Sequence, residues 1–250
     1  MECLLDDIKK GEKVLFVGTA CKVAGVIGIC KARHIDMSNA IFCDFFQCSG
    51  NASPLLWREE VNRLSANRQI SDIYFRDKSN GWRNYSFKIN YVDKTSFVAD
   101  FLLSVWGRLF GLSYSSRENC MKCQFNGFHK KSDISIGDFW NSYAIPKIWK
   151  DNKGVSLVVV NTEKGQEAIE SIEGYALLQH IEKNSVNWEK ESREADSKRR
   201  SEFWSFYRQS GYENLLRKYC AITWKDKFLT LVVRNSLIKT KMIELLDKRK

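Results

Sequence analysis

The sequence predicts an α/β fold, a mixed sheet with flanking helices, followed by a helical C-terminal tail. Three features predict it. Strand-length apolar runs at residues 13–17 and 40–46 are each followed by a turn and a helix pattern, the order that produces parallel crossovers. Further short strands rich in aromatic and β-branched residues follow, at 73–75, 85–91, 134–136 and 155–160. From about Trp188 onward the pattern becomes wholly helical and charged.

Taken in order, residues 4–10 read as the end of a helix, with Gly11 as its cap. Lys13 to Val17 is a buried strand that runs into the turn Gly18-Thr19-Ala20-Cys21 and a short helix. Ala40 to Phe46 is the second strand and ends near Cys48-Ser49-Gly50. Ser53 with Pro54 has the signature of an N-cap and first helical position, opening a helix to about Asn67. After the strand at Ile73 to Phe75, Ser79-Asn80-Gly81 marks a turn, and Tyr85 to Tyr91 alternates as a half-buried strand does. Phe97 to Phe110 carries apolar residues at helical spacing and predicts a helix. An irregular cysteine-bearing stretch at 113–132 separates it from the last two strands and a helix at 163–172. The pattern change near residue 188 divides the chain into a domain over 1–187 and a basic helical tail over 188–250.

Composition bounds the function. The 250 residues are 44% hydrophobic with 2 prolines, which excludes disordered and fibrous classes. No window reaches the roughly 18 uncharged apolar residues of a membrane span, and the N-terminus has no signal-peptide pattern, so the expected compartment is the cytoplasm. The net charge of +10 is concentrated in the tail: from Glu189 on, 16 Lys and Arg stand against 9 Asp and Glu, a net of +7. A nearly balanced body argues against a nucleic-acid reading surface, and the tail reads as a solvated helical face.

Eight cysteines in a reducing compartment point to metal or redox chemistry rather than disulfides. Cys3, Cys30, Cys43 and Cys220 sit in ordinary helix or strand contexts and read as small hydrophobes. Cys21, Cys48, Cys120 and Cys123 sit at turns. Cys120-Met121-Lys122-Cys123 is a C-x2-C pair able to direct two thiolates at one metal, and Cys21 and Cys48 each follow a strand end. Four thiolates suit a structural zinc or a cubane cluster, and spacing alone does not separate the two.

Six segments carry a resemblance. Gly18-Thr19-Ala20-Cys21-Lys22-Val23-Ala24-Gly25 is similar to GTPCQVAG, and Asp44-Phe45-Phe46-Gln47-Cys48-Ser49-Gly50 with Ser53-Pro54 is similar to D-x-x-C-H-G-x-x-SP. Phe75-Arg76-Asp77-Lys78 with Gly81-Trp82, Arg117 to Phe125, Ser132 to Trp140, and Gly154 to Leu157 with Asn161, Thr162 and Gly165 follow in order. Together they resemble the coenzyme F-420 hydrogenase/dehydrogenase beta-subunit family, in its C-terminal domain. The resemblance implies an iron–sulfur flavoprotein, an oxidoreductase or electron-transfer subunit in which a 4Fe–4S cluster exchanges electrons with FAD and a small-molecule acceptor. It implies Cys21, Cys48, Cys120 and Cys123 as cluster ligands. Thr19, Arg76, Lys78 and Asp138, with Trp82 and Trp140, are the candidate flavin contacts, since cations suit a pyrophosphate and an indole can cover an isoalloxazine.

Where the family has Pro, Gln, His and Gly, this sequence has Ala20, Lys22, Ser49 and Asn141. The loss of His removes a potential proton donor and Lys22 adds a charge. The resemblance implies an electron donor as partner, such as a ferredoxin or a subunit that supplies the family's N-terminal half. The alternative expectation is a non-catalytic scaffold on the same fold, held by zinc at the four cysteines.

Overall fold

A computed structural model describes residues 1–46, 53–112, 115–121, 123–125, 127, 130–139, 152–172, 174, 180–181 and 194–234. The chain forms two compact units, one of residues 1–48, 123–148 and 155–191, the other of 49–122, 149–154 and 192–250. The expected division at 187/188 falls outside the described residues.

The first unit is built on a four-stranded sheet of β1 (Val14–Gly18), β2 (Ala40–Phe45), β6 (Ile134–Asp138) and β7 (Ser156–Val160), adjacent in that order. The first three strands run parallel, and β7 is antiparallel to β6. The predicted parallel crossover is present. Its helix α2 (Ala20–Ala32) is longer than expected, because Val23, Val26, Ile27 and Cys30 all find cover with α1 (Glu2–Lys9) against Ala40 and Phe42. Burial of that apolar stripe stabilises the extra turns beyond their propensity.

One carboxylate latches three elements of this unit. Asp133 Oδ2 accepts from the Phe42 amide at 2.8 Å, Oδ1 accepts from Thr162 Oγ1 at 2.7 Å, and Lys164 Nζ lies 3.5 Å from Oδ2. Thr162 in turn caps α6 (Glu163–Glu170), accepting from the Gly165 amide. A Cβ on Gly165 would stand 2.3 Å from the Asp133 carbonyl oxygen, so the residue type there is set by close backbone approach. Asn161 donates to Ser132 and Ser135, completing the junction.

The second unit is an antiparallel meander of β3 (Ile70–Asp77), β4 (Ser86–Tyr91) and β5 (Ser96–Asp100). With it go α3 (Pro54–Ser65), α4 (Val105–Gly111), α5 (Glu118–Met121), α7 (Glu194–Tyr219) and α8 (Trp224–Arg234). Ser53 caps α3 through the Leu55 amide, and Pro54 occupies the first turn, as the sequence predicts. β3 and β4 match predicted strands, the former longer than expected.

The helix expected over Phe97 to Phe110 is corrected. Ser96–Asp100 is strand β5, Phe101–Leu103 a 3-10 turn, and only Val105–Gly111 is α-helical. The hairpin turn at Asp93-Lys94-Thr95, where Asp93 accepts from the Thr95 amide, sends residues 96–100 back along β4. Ser104 then caps a new helix through the Gly107 amide.

The basic tail contributes core. Phe203 and Leu215 of α7 are fully buried, and Tyr212, Leu216 and Cys220 join them against Leu56, Phe87, Ile89 and Leu109. α7 is interrupted at Gly211, φ 76°. Its buried Tyr212 hydroxyl donates to Glu60 at 2.9 Å, and Glu60 also accepts both guanidinium bonds of Arg63. Burial, together with Glu60, pushes the Tyr212 hydroxyl up, so it stays a donor. α8 is anchored by Asp226, whose carboxyl the Thr223 amide and hydroxyl and the Arg108 guanidinium hold down at about 2.

Leu215→Ala is expected to cost about 2–5 kcal/mol in urea unfolding through the cavity it leaves. Asp226→Asn tests a pH dependence. A carboxyl held below its ordinary 3.8 contributes fully above that value and loses its contribution as pH falls through about 2. The gap in melting temperature between wild type and variant should therefore be constant near neutrality and close between about pH 4 and pH 2.

Candidate functional site

The parallel strands of the first unit all end at one edge of the sheet, the position at which open α/β sheets place ligands. β1 ends at Gly18, directly before Thr19 and Cys21. β2 ends at Phe45, and β6 ends at Asp138. Thr19, Cys21 and Asp138 are therefore brought to the same sheet edge.

Cys21 lies in the first turn of α2, exposed, and its Sγ shares a 3.2 Å hydrogen bond with Thr19 Oγ1. A helix N-terminus favours negative charge, the setting a metal-bound thiolate requires. Cys123 belongs to the same unit and is half-buried. Cys120, in α5, falls in the second unit and is also half-buried. Cys48 and Trp140 lie outside the described residues, and among those described no group of three or more His, Cys, Asp or Glu is gathered around one point.

The remaining cysteines separate cleanly. Burial raises the thiols of Cys30 and Cys43, and pushes Cys220 up to about 11, which keeps them neutral. Those three are buried, as expected of small hydrophobes. Cys3 departs from that expectation and is exposed on α1.

The sheet edge also holds two residues to which sequence reasoning assigned no role. Asp44, near the end of β2, is fully buried, and neither carboxylate oxygen has a hydrogen-bond partner among the described residues. Its counter-charge is Lys130, 3.8 Å away and buried as deeply. Lys130 also donates to the Phe125 carbonyl at 3.0 Å and lies 5.6 Å over the Phe46 ring. One ammonium thus ties the chain two residues beyond Cys123 to the strand that leads toward Cys48. An Asp four residues before the cysteine was the available signal, but no spacing links it to a lysine 86 positions away.

The candidate flavin residues of the second unit differ in availability. Lys78 and Arg76 are exposed near the end of β3, with the Arg76 guanidinium 4.7 Å over the Tyr85 ring. Trp82 is 4% exposed, and its amide donates to the Asn152 carbonyl. Gly154, at φ +94°, packs so closely that a Cβ there would come within 2.6 Å of the indole. That indole is a structural wall, and a ring stacked on the same face would have to displace Gly154.

Removing Lys130 leaves a buried carboxylate without compensation. Lys130→Met is expected to destabilise the protein by about 3–5 kcal/mol in urea unfolding, with Asp44→Asn on top of it recovering part of the loss. Equal stability of Lys130→Met and wild type would show that the pair contributes nothing.

A family model for the C terminus of the beta subunit of coenzyme F420 hydrogenase/dehydrogenase matches residues 11–184. No curated protein matches the chain. Among the described residues no helix is long and apolar enough to cross a membrane.

Proposed function

The chain belongs to the coenzyme F420 hydrogenase/dehydrogenase beta-subunit family, through its C-terminal region, and from that premise we propose that it is an iron–sulfur and flavin electron-transfer subunit. Membership gives it an oxidoreductase character and the expectation of partner subunits in a complex. The finer reading is that Cys21, Cys48, Cys120 and Cys123 bind a 4Fe–4S cluster and that FAD binds beside it. When bound, these groups would supply one-electron exchange and two-electron chemistry on a small organic acceptor.

The observation that carries this reading is the sheet edge where Cys21 and its Thr19 partner follow the end of β1 and where Lys130, paired with Asp44 of β2, holds the Phe125 carbonyl two residues beyond Cys123. Cys21 supports this reading: it offers an exposed sulfur at a helix N-terminus, and Thr19 shares a hydrogen bond with it, the kind of contact that tunes a cluster's potential. Arg76 and Lys78 are exposed cations suited to the FAD pyrophosphate, with Thr19 and Asp138 as polar contacts at the edge. Trp82 is better read as support for its own unit. Lys22, exposed one residue after Cys21, adds positive charge beside that ligand and favours an anionic acceptor.

The test is anaerobic purification followed by iron, sulfide, zinc and flavin analysis. About four iron and four sulfide per chain are expected, with iron and sulfide reduced several-fold in Cys21→Ala and Cys123→Ala. Flavin in the same preparation, or its uptake only with a partner subunit, distinguishes a self-sufficient site from a shared one. One zinc and no sulfide would overturn the redox reading and leave a metal-stabilised scaffold.

A further inference from the structure

The second unit contains a cavity of about 510 Å³ where the N-terminus of α3 meets α7. Arg200, Trp204 and Arg208 line it from α7, at a spacing of four residues that places them on one helix face. Arg117 and Ser53 complete the wall, with Ser201 beside them. The volume lies within the range of roughly 300–1,000 Å³ typical of small-ligand sites.

Three arginines line the cavity. No carboxylate is present among the described lining residues, and among the described residues none of the three arginines forms a salt bridge. Arg200 is fixed in place: its Nε donates to the Ser116 carbonyl at 3.1 Å and its guanidinium lies 5.9 Å from the centre of the Trp204 ring. Arg208 is held by Ser205 at 3.3 Å. The first turn of α3 has no acidic residue, so the positive end of its dipole faces the cavity unopposed. Independently of the charges, Trp204 Nε1 is a buried donor with no hydrogen-bond partner among the described residues.

We infer that this cavity binds the phosphate group of a small phosphorylated molecule. Planar guanidinium forks match phosphate oxygens two at a time, and a helix N-terminus adds further favourable field. Three cations favour a dianion over a singly charged carboxylate. Trp204 supplies an apolar wall for the organic part. Arg200, Trp204 and Arg208 lie beyond residues 11–184, whereas Ser53 and Arg117 belong to the matched region, Arg117 three residues before Cys120.

The test uses the full chain, titrated calorimetrically at low salt with inorganic phosphate, glycerol phosphate and adenosine monophosphate in turn. Saturable binding of at least one is expected, with affinity reduced about tenfold in Arg208→Ala and about a hundredfold in Arg117→Ala/Arg208→Ala. Both arginines are exposed, so circular dichroism and melting temperature should be unchanged in the double variant. Trp204→Phe should retain phosphate binding while losing the tryptophan fluorescence change that accompanies it. Tighter binding of the nucleotide than of the other two would assign a nucleotide; equal affinities would assign the bare phosphate group. No saturable binding of any probe, or a folded double variant that binds as wild type does, would overturn the inference.

Discussion

The rest of the first unit depends on a carboxylate and an ammonium that water does not reach. Among the described residues Asp44 has no hydrogen bond to spread its charge, so Lys130 is the group that makes its burial tolerable. The same ammonium holds the Phe125 carbonyl, which makes the fold of the sheet and the position of the chain after Cys123 a single problem. A tethered loop loses less freedom on binding a metal than a free one, and that preorganisation is what a multi-segment ligand set needs. The Asp133 junction does similar service at the other end of the strands, where it ties β2 and the start of β6 to α6. Two of the six recognisable segments, those around Ser132-Asp133 and Asn161 to Gly165, are accounted for by that junction.

The second unit uses its charge differently. Along α7 the apolar residues Phe203, Leu215 and Leu216 enter the core, while Arg200, Trp204 and Arg208 gather at the mouth of α3. The net positive charge of the tail is thus partly an arrangement and not only a solvated face. Glu60, Arg63 and Tyr212 form their own hydrogen-bonded network, so the buried Glu60 carboxylate is already neutralised without the cavity arginines.

Much of this was legible in advance. The parallel crossover followed from an apolar strand, a glycine-containing turn and a helix pattern, and the cap of α3 followed from Ser53-Pro54. Those are local signals carried by neighbouring residues. The failure at Phe97 to Phe110 has the opposite character: its apolar spacing fits a helix, but the hairpin turn at Asp93 to Thr95 pairs residues 96–100 with β4 before a helix can start. Tertiary pairing outweighed periodicity. At the site, turn context singled out Cys21 and left Cys30, Cys43 and Cys220 to the core, where the structure has them. The Asp44–Lys130 pair and the arginine cavity were not legible, because each joins residues from elements far apart in sequence.

The most direct test of a cluster organised by the buried pair is electron paramagnetic resonance of anaerobically purified, dithionite-reduced protein, comparing wild type with Lys130→Met. Wild type is expected to show the signal of a reduced 4Fe–4S cluster and the variant, whose Phe125 carbonyl is no longer tied to the sheet edge, a much weaker one. A wild type with no such signal and one bound zinc would contradict the redox assignment. A variant with the full signal would contradict the claim that the buried pair organises the site.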